Sequence, residues 1–141
     1  DPPIKNMRGT ARLFYRMEEY EKLLDLYDSP SNGFELCMGT IQEMEGSNLL
    51  DFLDKYSRLD KIGYIHYRNV IGKVPHYREA FVDEGDINMI KAIEILKKNN
   101  YDGIIVPDHT PEMSCDAAWH AGMAFAMGYL KGAMQSVENN T

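Results

Sequence analysis

Asp108-His109 stands between Pro107 and Pro111, directly after the apolar run Gly103-Ile-Ile-Val106. That run is too short for a helix, is rich in β-branched residues and has no polar face, which predicts a parallel strand covered on both sides. The prolines stop the ladder. Its tip therefore offers a carboxylate and an imidazole at the carboxyl edge of a sheet, where α/β folds place their sites. The plainer reading of Asp108 is a cap for the helix that follows. Two other β-rich stretches, residues 34–38 and 62–68, carry Cys37 and His66 toward their C-terminal ends. Parallel strands in register bring three such ends together. A thiolate, an imidazole and a carboxylate suit a borderline divalent metal such as manganese, iron(II) or zinc rather than calcium. Taken singly, Cys37 also reads as a core thiol and His66 as a hydrogen-bonded structural residue; the joint placement of the three is what points to a metal.

Arg68 lies two residues past His66 and, if the strand continues, on the same face, where its fork would suit a substrate carboxylate. A salt bridge with Glu35 or another acid is the alternative. His109 is the natural acid/base partner, because an imidazole titrates near neutrality and this one adjoins a candidate ligand. Trp119 and His120 open the last helix near the same edge and could wall a pocket; the plainer readings are a core tryptophan, which Trp119 fits better, and a solvated histidine. Met123, Met127 and Met134 read most simply as core packing.

The elements that must position these residues follow from periodicity. Residues 1–10 are polar and aperiodic, a loop. Over 11–26 the apolar residues recur at spacings of three and four, an amphipathic helix. Asp28-Ser-Pro-Ser-Asn-Gly33 ends it. The strand at 34–38 places Glu35 and Cys37 on one face, and Gly39-Thr40 breaks it. A second helical stripe covers 48–56, and 62–68 returns to strand character. Residues 69–85 read as a long loop containing Gly72, Pro75 and Gly85, of the kind that is often functional. Asp86 is a plausible N-cap for a helix supported by Glu94 and Lys98 at i,i+4, ended by Asn99-Asn100. The last helix covers about 117–137, with Gly122 and Gly128 allowing close helix-to-sheet contact. Helix, strand, helix, strand, helix, strand, helix is a run of βα units, so the expected fold class is α/β with a parallel sheet.

Bulk properties narrow the function. The 141 residues suffice for one domain with a core. With 22 acidic against 15 basic residues the formal charge is −7 and no basic stripe with interleaved aromatics appears, which argues against nucleic acid as partner. No apolar run approaches the ~20 residues of a membrane span, and the N-terminus resembles no signal peptide, so a cytoplasmic protein is expected. Cys37 and Cys115 are too few for a disulfide scaffold. A phosphate-binding glycine loop, a Gly-x-Ser-x-Gly elbow and a Cys-x-x-Cys pair are all absent.

Taken in order, Ser29-Pro-Ser-Asn-Gly33 leading into Cys37-Met-Gly-Thr40, then Ile65-His-Tyr-Arg-Asn69, Glu84-Gly-Asp-Ile-Asn-Met89 and Val106-Pro-Asp-His-Thr-Pro111 resemble the D-mannonate dehydratase family. The resemblance covers almost the whole chain. It implies a (β/α)8 TIM barrel of the xylose-isomerase-like kind, a divalent metal (Mn2+ or Fe2+), and dehydration of the sugar acid D-mannonate to 2-keto-3-deoxy-D-gluconate in hexuronate breakdown. It makes Cys37, His66 and Asp108 metal ligands, Arg68 a substrate contact and His109 a catalytic acid/base residue beside Asp108.

The family's barrel is more than twice this long, so residues 1–141 are expected to form one partial domain, the C-terminal βα units with the last three strands. A further histidine ligand of the family lies just ahead of the segment that begins here as Asp1-Pro2-Pro3. The missing N-terminal barrel half is thus an expected partner, the complete protein is expected to form a homo-oligomer such as a dimer, and this chain alone is expected to be inactive. Arg12, the family's substrate-contacting arginine by position, sits in Ala11-Arg12-Leu13, where the family has a proline before it. Trp119-His120 stands where the family has a tyrosine-bearing turn, leaving His120 as the candidate substrate-side residue there. A metal-dependent sugar isomerase or epimerase shares the implied fold and metal; a non-catalytic fragment needing a partner chain is the alternative of a different class.

Overall fold

The computed structural model describes residues 3–139; the expectations for Asp1, Pro2, Asn140 and Thr141 lie outside the described residues. The chain opens with β1 (Asn6–Met7) and β2 (Thr10–Ala11), a small antiparallel pair where a loop is expected from sequence. The following helix, α1 (Met17–Leu26), consequently starts six residues later than its apolar stripe suggests. Its start is fixed by Glu19, whose Oε2 accepts the backbone N–H groups of Tyr15 (2.7 Å) and Arg16 (3.2 Å), satisfying donors that no helical turn could.

Then come β3 (Phe34–Cys37) and α2 (Met38–Glu43). The short helix is unforeseen: Met38 belongs to it rather than to the strand, and Gly39-Thr40 lies inside it. Next are α3 (Leu49–Arg58), capped by Asn48 whose side chain accepts from Asp51 N–H, and β4 (Ile62–His66). Residues 69–85 are no open loop, because β5 (Asn69–Lys73) and β6 (His76–Ala80) pair as an antiparallel hairpin. The N-cap of α4 (Met89–Lys98) is Asn88. Asp86 instead accepts the Gly72 N–H at 2.8 Å, and Lys98 pairs with Asp54 while Glu94 pairs with Lys91. β7 (Ile104–Val106) and α5 (Ala118–Asn139) complete the order.

β3, β4 and β7 form a three-stranded parallel sheet in that order, as the run of βα units requires. Leu36 and Ile65, fully buried in β3 and β4, belong to the main core, and α4 packs between α3 and α5. β7 is an edge strand of this sheet, and Ile104 is 66% exposed, so it is not covered on both sides. On α5 the buried stripe is Gly122, Ala126, Leu130, Ala133 and Val137, at spacings of three and four. Trp119, Met127 and Met134 fall outside that stripe and are exposed, against the expectation of core packing. Gly122 allows close approach to the segment after β7 rather than to the sheet, since a Cβ there would collide with Thr110 Oγ1; Gly128 has open space around it.

Candidate metal centre

Register builds the site. Cys37 pairs with His66 across β3 and β4, and His66 pairs with Val106 across β4 and β7. Asp108 lies two residues past Val106, so the three side chains gather at one sheet end. One donor atom from each of Cys37, His66 and Asp108 lies within 4.8 Å of the others. Bond lengths of ~2.0–2.3 Å to N, O and S donors put tetrahedral ligands of one ion ~3.3–3.8 Å apart, so the three donors hold a single ion once they draw together by about 1 Å. The mixed donor set matches a borderline divalent cation. All three side chains are half-buried, shielded on one side and open on the other.

These residues line an open cleft of about 520 Å³ together with Arg12, Glu35 and His109. His66 Nδ1 lies 3.0 Å from Glu35 Oε1 and 3.5 Å from Asp108 Oδ2. His109 turns its Nε2 toward the same Asp108 oxygen at 3.4 Å and its Nδ1 toward Glu79 Oε2 at 3.6 Å. The turn after β7 thus brings His109 to the ligand cluster even though it neighbours Asp108 in sequence. Arg12 reaches the cleft because β2 carries it there, with its own N–H bonded to Lys5 O at 3.1 Å. His120 is exposed on α5 and is not among the lining residues.

Arg68 takes the alternative of the two readings given to it, an ion pair, and not with Glu35. The strand ends at His66; Tyr67 N–H donates to Val106 O at 2.8 Å and the chain turns into the hairpin. The guanidinium is consequently buried, with the residue 3% exposed. Nη2 donates to Glu43 Oε1 at 2.6 Å, Nε to both Glu79 oxygens at 2.9 and 3.0 Å, and Nη1 to Cys37 Sγ at 3.3 Å. Burial works against the charge of Arg68, but Cys37, Glu79 and Glu43 outweigh it and hold its pKa above the ordinary value. Burial pushes the Glu43 carboxyl up, with Arg68 pulling the other way.

Sequence reasoning missed Glu43 and Glu79. Glu43 sits in a six-residue helix with no readable stripe, and Glu79 in a hairpin taken for a loop. Strand alternation did mark Glu35 as sharing a face with Cys37.

The family model for D-mannonate dehydratase (UxuA) matches residues 1–141. Mannonate dehydratase of Lactococcus lactis subsp. cremoris is 29% identical over 150 residues, covering 99% of this chain and 41% of the relative. That of Lactococcus lactis subsp. lactis is 32% identical over 114 residues, covering 77% and 32%. Among solved structures, mannonate dehydratase of Streptococcus suis serotype 2 matches in fold with a TM-score of 0.85 at 24% identity, over 99% of this chain and 42% of that one. A xylose isomerase domain protein of Alicyclobacillus acidocaldarius matches in fold with a TM-score of 0.68 at 13% identity, over 93% and 47%. The chain thus spans about two fifths of the length of the first of these relatives and of the Streptococcus protein. Matched by the family model from end to end, the chain belongs to the D-mannonate dehydratase family.

Proposed function

We propose that these residues supply the metal-ligand and acid/base part of a D-mannonate dehydratase, a hydro-lyase that converts D-mannonate to 2-keto-3-deoxy-D-gluconate in hexuronate catabolism in the cytoplasm. The observation that carries this reading is the convergence of Cys37, His66 and Asp108, with His109 beside them, in a chain matched throughout by the family model. The three donors would hold Mn2+ or Fe2+. Such an ion, when bound, polarises substrate oxygens and so acidifies the adjacent C–H.

The remaining roles belong to the side chains. His109 lines the cleft beside the Asp108 carboxylate and is the imidazole placed for proton transfer at the substrate carbon or at the departing hydroxyl. Arg12 enters the same cleft and offers a cation to the sugar-acid carboxylate. Glu35, 3.0 Å from His66 Nδ1, orients the imidazole and selects which nitrogen is free to ligate. Three donors leave positions for the substrate and for ligands from residues beyond this span, so the 141 residues act within the longer protein.

The parallel sheet and the fold likenesses support the C-terminal portion of a (β/α)8 barrel as the architecture. An isomerase reading has only a fold likeness behind it, whereas the family model favours dehydration.

His109→Gln in the full-length protein tests the assignment: kcat for D-mannonate falls by about 10²–10⁴-fold with metal content unchanged. Undiminished turnover would remove His109 from the reaction. Accumulation of a ketose isomer in place of a 2-keto-3-deoxy acid would replace dehydration by isomerisation.

A further inference from the structure

We infer that Arg68 is a positioning residue for the Cys37 sulfur, and that the cluster of buried Glu43 and Arg68 with half-buried Glu79 exists to fix it there. The inference rests on the reading of Cys37 as a metal ligand given above and adds an outer layer to it.

The geometry is that of a fork pinned on three sides. Nη2 is held by Glu43 at 2.6 Å and Nε by both oxygens of Glu79 at 2.9 and 3.0 Å, which leaves Nη1 directed at Cys37 Sγ, 3.3 Å away. The backbone N–H of Thr40 reaches the same sulfur at 3.5 Å. A planar guanidinium so fixed has one geometry, and a lysine could not reproduce it. The backbone has made room for it: a Cβ on Gly39 would stand 2.7 Å from Nη1 and 2.8 Å from Cζ of Arg68.

Stability does not account for the cluster. Burying ions costs several kcal/mol each, and apolar residues of like volume commonly do as well or better. Glu43, with none of its surface exposed, also leaves Oε2 without a hydrogen-bond partner among the described residues. What the arrangement does produce is a charged donor aimed at a candidate ligand atom. Such outer contacts orient a ligand and tune its electron donation. Glu79 also faces His109 Nδ1 at 3.6 Å, so one carboxylate touches both the fork that holds Cys37 and the imidazole next to Asp108.

Cobalt(II) gives a readout apart from activity, because a thiolate bound to it produces a sulfur-to-metal charge-transfer absorption. In a titration of the full-length protein with Co2+, the wild type and Cys115→Ser show this band and Cys37→Ser does not. Arg68→Gln weakens cobalt binding by about 10–100-fold and moves the band to longer wavelength, since the sulfur electrons lose a stabilising donor. Gly39→Ala, which leaves every charge in place and crowds Nη1, moves the band in the same direction; it decides the matter if Arg68→Gln does not fold by circular dichroism. Unshifted bands in folded Arg68→Gln or Gly39→Ala overturn the role of Arg68 while leaving Cys37 a ligand. Absence of the band from the wild type, or its dependence on Cys115, overturns the ligand reading and this inference together.

Discussion

The strand Phe34–Cys37 begins and ends in opposite surroundings. Phe34, 4% exposed, sits in an aromatic cluster, its ring centroid 5.3 Å from Tyr20, 5.1 Å from Tyr56 and 5.8 Å from Phe52. The Tyr20 and Tyr56 rings meet it edge-on, an arrangement in which the positive ring edge faces a negative ring face. Three residues on, Cys37 is half-buried among the polar side chains of His66, Asp108 and Arg68. The first end removes apolar surface from water and so stabilises the fold; the second keeps polar donors accessible and contributes little burial. One strand thereby anchors a site to a core it does not disturb.

The largest expected effect separates the two ends. Phe34→Ala empties the middle of the aromatic cluster and lowers the unfolding free energy by about 3–5 kcal/mol, read from urea denaturation. Asp108→Asn, at the open end, changes it by less than about 1 kcal/mol while removing a metal donor. Comparable losses from the two substitutions would mean that the site end is part of the folding core after all.

A smaller test sharpens the role of the packed end. The Asn48 side chain caps α3, the helix that delivers Phe52 and Tyr56 to the cluster, by accepting the Asp51 N–H at 3.3 Å. Asn48→Ala costs about 1 kcal/mol in the same denaturation experiment. An unchanged midpoint would show that tertiary packing alone sets the start of this helix.

The same contrast explains what the sequence disclosed. α3 was legible because Leu49, Phe52, Leu53 and Tyr56 recur at helical spacing, and all four are buried. The three ligand candidates were legible because parallel register aligns strand tips whatever the loops do. Arg68 was half-legible. Alternation placed it on the face of His66 only if β4 continued, but the strand stops at His66, where the Arg68 N–H folds back to His66 O at 3.1 Å. β1, β2 and α2 escaped because two strands of two residues and a helix of six carry too little pattern to read, and the β5–β6 hairpin because Gly72, Pro75 and Gly85 marked the stretch as loop. On α5 the type of residue misled, since size suggested Met127, Met134 and Trp119 for the core. Spacing would have chosen Gly122, Ala126, Leu130 and Ala133 instead.

The smallest effect lies at a polar contact of the packed half, where α3 meets the end of α4. The Asp54 carboxylate accepts from the Asn99 side chain and from Lys98, both at 3.1 Å, and pairs with Arg58 at 2.8 Å. The hydrogen bonds from Asn99 and Lys98 hold its pKa below the usual carboxylate range despite a small opposing effect of burial. A depressed carboxyl pKa means that the unfolded chain takes up the proton first as the pH falls. The contribution of Asp54 is therefore complete above the unfolded value of about 3.9 and is lost as the pH drops through the lower folded value. Asp54→Asn removes that proton-linked share, so stability followed by circular dichroism declines less steeply with acid below about pH 4 than in the wild type, and the two profiles run parallel above it. The contact is solvent-exposed and salt screens it, so the difference shrinks as ionic strength rises. Superimposable slopes at low salt would show that the contact adds nothing to the packed half, and that apolar burial by itself joins α3 to α4.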